Sequence, residues 1–388
     1  MIHTLFRLFE IVAVFGCASS AAYYLLCLWS AFASIRQDRA GEGVLATQLP
    51  VSILKPLKGA DREMYESFRS HCLQDYSEYE IVFGVSEPDD PAIDSVHRLQ
   101  REFPDRIIGL VVCPERLGAN VKVSNLEQML ATARYEHLLV NDSDIHVQPD
   151  YLRRIMSPLT DERVGMVTCL YRGVAASTLG SRLESLGIST DFIPSVLVAR
   201  QLEGGLHFAL GSTMAFRRKD LARIGGFQSI VDFLADDYEL GRRVADLGLQ
   251  VKLSETVVET HLPDYDLRGF FLHQLRWARG VRDARAGGYA GLITTFGLMW
   301  GLLAVFFAHG APWSWAALGV VAFLRLAVAI AVGSVVLRDR NLLRDLWLLP
   351  ARDLIAVGVW VASFLGHTVT WRGDRFELKD GRLVRVGD

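Results

Sequence analysis

The charges in this chain are spread so unevenly that membrane burial has to enter the argument before any soluble fold does. Residues 11–35 carry no Asp, Glu, Lys or Arg, residues 291–337 carry only Arg325, and residues 354–371 carry none. A membrane-crossing helix needs roughly 20 apolar residues, so the first stretch holds one span and the second has room for two. The third is of borderline length, with His367 inside it, and either spans or lies in the interface. The first stretch is too long for a cleaved signal and has no clear small-residue cleavage site before Arg36, so it reads as a retained anchor.

Arg36 and Arg39 follow that anchor directly, and the positive-inside rule then puts the central region on the cytoplasmic side. Arg338, Arg340 and Arg344 agree with this placement. The tail, with Arg372, Arg375, Lys379, Arg382 and Arg385, conflicts with it if 354–371 crosses once. A re-entrant or hairpin path from about residue 342 would remove the conflict. A net charge of −3 gives no basic field of the kind nucleic-acid binders carry, so no nucleic-acid partner is expected. Cys17, Cys27, Cys72, Cys113 and Cys169 lack metal-type spacing and read as buried reduced thiols.

Between residues 36 and 266 the pattern alternates strand and helix. Strands are expected at 51–54, 80–85, 107–112 and 138–140, with helices at 64–74, 93–103 and 123–135. Pro56 is expected to stop the first strand. Such alternation predicts an α/β domain with a mostly parallel sheet, whose ligands bind beyond the carboxyl ends of the strands. Polar clusters fall at those ends: Lys55, the turn from Glu87 through Asp89 and Asp90, and Asp142-Ser143-Asp144.

Each cluster has a chemical and a plain structural reading. Asp142 and Asp144, two apart on extended chain, point to one side and suit a hard divalent ion (Mg²⁺ or Mn²⁺) that shares a diphosphate, or they form a solvated turn. Asp236-Asp237 precede a helical stretch; one is a candidate general base, or both simply favour the helix dipole. Gly211-Ser212 allow close approach of a substrate, or make a tight turn. Asn120 and Lys122 lie beside a helix start where a diphosphate can dock, or form an ordinary loop. His273, Arg276 and Trp277 lie on an amphipathic stretch, 267–290, that reads as an interface helix with Arg276 available for phosphate.

The order and spacing of these elements carry a resemblance. Lys55-Pro56, Asp89-Asp90-Pro91-Ala92-Ile93-Asp94, Gly118…Asn120…Lys122…Asn125-Leu126, Asp142-Ser143-Asp144, Ala235-Asp236-Asp237-Tyr238 and Arg276-Trp277 resemble the ceramide glucosyltransferase-like family of inverting glycosyltransferases. Val167–Gly173 and His273–Arg279 look most like its bacterial hopanoid-biosynthesis-associated branch. The resemblance implies a GT-A (Rossmann-like nucleotide-diphospho-sugar transferase) domain flanked by transmembrane helices, in a bacterial inner membrane, using a UDP-sugar donor, a divalent metal and a membrane lipid acceptor.

It also implies roles. Lys55, Pro56, Glu87, Asp89, Asp90, Asn120, Lys122 and Asp142 would bind the donor, with the turn at Asp89 and Asp90 on the uridine. Asp142 and Asp144 would hold the metal, Gly211 and Ser212 would face the acceptor, and Asp237, beside Asp236, would be the base. Arg276 and Trp277 would close a (Q/R)xxRW element near the leaving diphosphate. This chain departs from that element: His273 stands first and Gln274 comes one residue late. The implied division is an anchor (1–35), a catalytic domain (36–266), an interface helix (267–290), membrane segments (291–371) and a basic tail (372–388). A processive polysaccharide synthase would need a channel and an intact QxxRW. A polyprenyl-phosphate sugar transferase would need no strong base.

Overall fold

In a computed structural model the described residues are 2–40, 48–60, 63–371 and 374–385. The side chain of Arg39 and all of Arg372, both used in the charge argument, lie outside them. The described chain forms two compact units.

The catalytic unit comprises residues 48–176, Leu202–Pro263 and the tail from residue 371. Its centre is an eight-stranded sheet built from β1 (Val51–Pro56), β2 (Tyr79–Val85), β3 (Ile107–Val112), β4 (His137–Val140), β5 (Ile145–His146), β6 (Val164–Val174), β7 (Met214–Arg217) and β8 (Gln250–His261). The order is β3-β2-β1-β4-β7-β6-β8-β5. The pairs β1/β2, β1/β4, β2/β3 and β6/β8 are parallel, while β7 runs antiparallel between β4 and β6, and β5 antiparallel to β8. Every residue of β1 and β2 is buried, as expected of central strands covered on both faces.

The predicted strands 51–54, 80–85, 107–112 and 138–140 are present within a residue or two. Pro56, however, does not stop β1: it stays in register with Gly84, and the amide of Leu57 continues the pairing at 2.7 Å to the Gly84 carbonyl. Proline lacks a donor, but its carbonyl side and extended backbone still fit a strand end. The tail folds back as an antiparallel hairpin, Asp374–Lys379 with Arg382–Arg385, and Leu383 donates to the Asp232 carbonyl at 2.7 Å. All five cysteines are free and buried.

The membrane unit comprises the helix Ile2–Ala40, Ser177–Gln201 and Asp264–Thr370. Three helical runs, His3–Arg36, Pro312–Val336 and Leu342–Ser363, are long and apolar enough to cross a membrane. A fourth candidate, Ala286–Thr295 with Gly297–Phe307, is bent by 51°. At that break Ser20 and Tyr24 donate to the carbonyls of Thr294 and Thr295 at 2.8 and 2.9 Å, satisfying groups that lipid could not. Close helix packing depends on small residues: a Cβ on Gly16 would lie 2.2 Å from the Trp300 indole.

The segment Ser177–Gln201 is the departure from a linear domain plan. It sits between β6 and β7 in the chain yet packs with the membrane helices, where Leu183 and Leu186 share a core with Phe270, Ala329, Leu342, Leu348 and Leu349.

Candidate active site

The acidic residues converge in the catalytic unit because three local structures aim at one point. Beyond β4 the chain leaves the sheet through Asn141, and Asp142 and Asp144 follow directly. The helix Val121–Leu130 starts at Asn120, whose side-chain oxygen accepts from the Val123 amide at 3.2 Å, and this fixes Lys122 in the first turn. The helix Asp236–Asp246 begins with the two aspartates. Gly241, one turn after Asp237 on the same face, lets that helix approach the backbone of Phe208 and Ala209: a Cβ there would lie 2.2 Å from the Ala209 nitrogen.

Lys122 is the centre of the arrangement. Its Nζ lies 2.8 Å from Asp142 Oδ1 and 3.0 Å from Asp236 Oδ2, joining the two acidic motifs through one ammonium. Burial opposes that charge, but Asp142, Asp236 and Asp237 together raise its pKa, so it stays protonated. The amide of Gly211 donates to Asp237 Oδ2 at 2.8 Å and the amide of Tyr238 to Oδ1 at 2.8 Å, which fixes the carboxylate plane. A Cβ on Gly211 would lie 3.1 Å from Asp142 Oδ2 and 3.2 Å from Asp237 Oδ2, so the glycine sits between the two carboxylates.

These surroundings tune the acids. Burial, then the neighbouring Asp236, push Asp237 up to about 6, against the pull of Lys122. Burial and Asp142 push Asp144 up to about 6, while the Thr260 hydroxyl, 2.5 Å from its Oδ2, pulls the other way. Lys55 is fully buried, and its Nζ donates to the Asp142 carbonyl at 3.0 Å. Burial pushes that amine down to about 7, opposed by Asp144 and Asp142.

Several residues that the resemblance gives to ligands also have partners within the protein. Asn120 is fully buried, and its amide caps a helix and donates to the Phe233 carbonyl at 2.8 Å. Ser212 is buried with its hydroxyl on the Cys169 carbonyl at 3.1 Å. Lys55 and Pro56 are buried at the end of β1, where Lys55 holds the Asp142 backbone. Asp90 accepts from the amides of Gly59 and Ala92 at 3.0 and 2.9 Å and ties two loops together, leaving Glu87 and Asp89 exposed beside it.

His273, Arg276 and Trp277 lie on the helix Leu267–Ala284 of the membrane unit. The His273 ring stacks on Tyr265 at 5.2 Å, and Trp277 meets Phe192 edge-on at 5.7 Å. The displaced glutamine has a defined place: Gln274 donates to Glu184 Oε2 and accepts from Arg352 Nη2, both at 2.8 Å. No motif marks Glu184, Asp191, Arg352 or Asp353, which meet Gln274 and Arg325 in the membrane unit. Arg325, alone among 47 residues without another charge by the bounds 291–337, was the available signal.

Residues 12–384 match glycosyl transferase family 21. The chain belongs to that family. Over 393 aligned residues it is 24% identical to ceramide glucosyltransferase 1 of Caenorhabditis elegans, covering 97% of this chain and 82% of that one. A 113-residue stretch is 34% identical to the ceramide glucosyltransferase of Komagataella phaffii, covering 28% of this chain and 22% of that one. Among solved structures, the mannosyltransferase PcManGT from Pyrobaculum calidifontis, in complex with GDP-Man and Mn²⁺, superposes with a TM-score of 0.57 at 23% identity. That match covers 92% of this chain and 98% of that one. This family 21 member is therefore a glycosyltransferase with a GT-A fold and apolar helices at the N-terminus and in the C-terminal region.

Proposed function

We propose that this protein transfers a hexose or N-acetylhexosamine from a UDP-sugar to a hydroxyl of a membrane lipid, a ceramide or hopanoid, with inversion at the anomeric carbon. The observation that carries this reading is the Lys122-centred cluster, in which Asp142 and Asp237 flank Gly211. It joins a diphosphate-side carboxylate to a candidate base at one point.

Asp237 suits the base. With its pKa near 6 it is ionised at neutral pH yet basic enough to take the proton as the hydroxyl attacks. The two backbone amides hold its plane, so the remaining lone pairs face a defined direction. Lys122 pairs with Asp236 at 3.0 Å, so the like charges of the two aspartates do not stand unopposed. Displacement by one hydroxyl at one carbon inverts the centre, giving a β-linked product from an α-linked donor. By the motif resemblance alone, Arg276 would be a fixed planar donor for the leaving diphosphate.

The residues fit a divalent metal. Asp142 and Asp144 offer oxygen ligands only, and the Asp142 side chain is 42% exposed. When bound there, Mg²⁺ or Mn²⁺ supplies charge neutralisation to the departing diphosphate.

The test is transfer of labelled sugar from UDP-glucose and UDP-N-acetylglucosamine to ceramide and hopanoid acceptors, with Mn²⁺, Mg²⁺ or EDTA. Metal-dependent labelling of a lipid with a β-linkage by NMR is expected. An α-linked product, or labelling only of a polyprenyl phosphate, would overturn the proposal.

A further inference from the structure

The membrane unit contains a cavity of about 250 Å³ that the chemistry of the acidic cluster does not use. Its walls are largely apolar and aromatic, with Tyr23, Trp277, Phe296, Met299 and Trp360 among them. One part of the lining is a charge network in a setting where ionisable groups are costly and mark function. Arg325 bridges Asp191 and Asp353, each at 2.6 Å. Arg352 lies 3.5 Å from Asp191 and donates to Gln274, which in turn holds Glu184.

Two features of that network ask for an occupant. Arg352 is 5% exposed, yet its Nε and Nη1 have no hydrogen-bond partner. Asp191 Oδ2, beside that guanidinium, accepts no hydrogen bond either. Two donors and one acceptor without hydrogen-bond partners therefore belong to residues that line the same cavity, where each unsatisfied group costs stability. A hydroxyl or an amide answers both, since each accepts from the guanidinium and donates to the carboxylate. Gly187 makes room for this guanidinium: a Cβ there would lie 2.5 Å from Arg352 Nη2.

Charge decides the class of head group. Two guanidiniums stand with three carboxylates, Asp191, Asp353 and Glu184, and His273 lies 3.5 Å from Glu184. There is no surplus positive charge for a phosphate, which would face those carboxylates across a low-dielectric space. Resting on the lipid-acceptor reading above, we propose that this cavity seats the polar head of the lipid acceptor and selects a neutral, hydroxyl- or amide-bearing head over a phosphorylated one. The aromatic walls take the adjoining hydrocarbon.

The full-length protein in nanodiscs tests this with three variants, Arg352→Gln, Asp191→Asn and the space-filling Ala356→Phe, whose parent alanine lines the cavity. Each is checked for folding by size exclusion and melting. Transfer to a short-chain ceramide and to a hopanoid polyol is followed with UDP-sugar hydrolysis as an acceptor-free control. KM for the lipid is expected to rise at least tenfold while KM for the UDP-sugar and its hydrolysis stay within twofold.

In parallel, a diazirine-bearing ceramide is cross-linked and the sites mapped. Cross-links on 188–195 and 352–360, lost in Ala356→Phe and competed by ceramide or the hopanoid polyol, support the proposal. Which of those two competes names the source of the neutral head. Competition by polyprenyl phosphate but by neither neutral lipid overturns the head-group class. Cross-links elsewhere, with transfer intact and the Ala356→Phe KM unchanged, overturn the cavity while leaving the transfer reaction standing. Cross-links in the cavity with no sugar transfer to any lipid would sink the acceptor role and the proposed reaction together.

Discussion

A single methyl group at Gly211 probes the active-site geometry most directly. The glycine is not one of the positive-φ glycines, so its backbone accommodates alanine without strain. Its added Cβ would stand 3.1 Å from Asp142 Oδ2 and 3.2 Å from Asp237 Oδ2. Ordinary carbon–oxygen contact lies nearer 3.4 Å and beyond, so the two carboxylates must part by a few tenths of an ångström. Stability should change by no more than about 1 kcal/mol, since a glycine-to-alanine change at a compatible site also restricts the unfolded chain.

Catalysis should suffer more. A misplacement of roughly 1 Å costs on the order of a hundredfold. A few tenths of an ångström at two groups together should then cost about tenfold in kcat, or about 1.4 kcal/mol in the barrier. Gly211→Val, with more bulk at the same point, should lose over a hundredfold by the same reasoning. The assay is steady-state transfer at saturating donor and lipid, with donor affinity measured separately by calorimetry. Gly205→Ala serves as the control, because a Cβ there meets nothing within 4 Å. If Gly211→Ala folds and keeps kcat within twofold of the parent, the carboxylates do not act from the positions described.

Further outcomes follow from the same geometry. Transfer should lose its rate below an acid limb near pH 6, falling about tenfold per pH unit as Asp237 takes up its proton, measured as kcat/KM across pH 4.5–8. Lys122→Met should move that limb upward, because the ammonium lowers the pKa of Asp237; a limb that stays put or falls counts against the assignment. Asp237→Asn should cut kcat by about 10²–10⁴ with little effect on UDP-sugar affinity, the range for a lost general base. Arg325→Met should destabilise the protein by about 3 kcal/mol, read as a lowered melting temperature in detergent, because it removes the buried partner of Asp353. Lys379→Cys should label from the same side of sealed vesicles as Arg101→Cys, both positions being exposed on the catalytic unit; labelling from opposite sides refutes the folded-back tail.

The catalytic sheet was legible because its signals are local. Short apolar runs bounded by turns gave β1 to β4, and Asp142, Asp144, Asp236 and Asp237 fell where strand ends and a helix start would put them. Sequence could not say which polar groups face a ligand. Asn120, Ser212 and Lys55 have the chemistry of donor or acceptor contacts, but their partners, Phe233, Cys169 and Asp142, lie far along the chain or on backbone atoms. Lys122 shows the reverse case: a lysine with an ordinary-loop reading is the centre of the acidic cluster, because a helix cap decides where it points.

The membrane unit was harder to read for a different reason. Hydropathy scores one segment at a time, and Ser177–Gln201 carries Arg182, Glu184, Asp191 and Arg200, enough charge to pass for a soluble helix between strands. In the fold those charges meet partners from other segments: Arg182 pairs with Asp345 at 2.5 Å, Glu184 with Gln274, and Asp191 with Arg325. None of these segments can bury its charge in lipid alone, so their insertion has to be mutual. Because Ser177–Gln201 lies in the chain between β6 and its partner β7, closing the catalytic sheet requires the chain to leave for the membrane unit and return. The lone Arg325 in an otherwise uncharged stretch is thus the sequence mark of charge buried jointly by three segments, legible only once its two carboxylates are known.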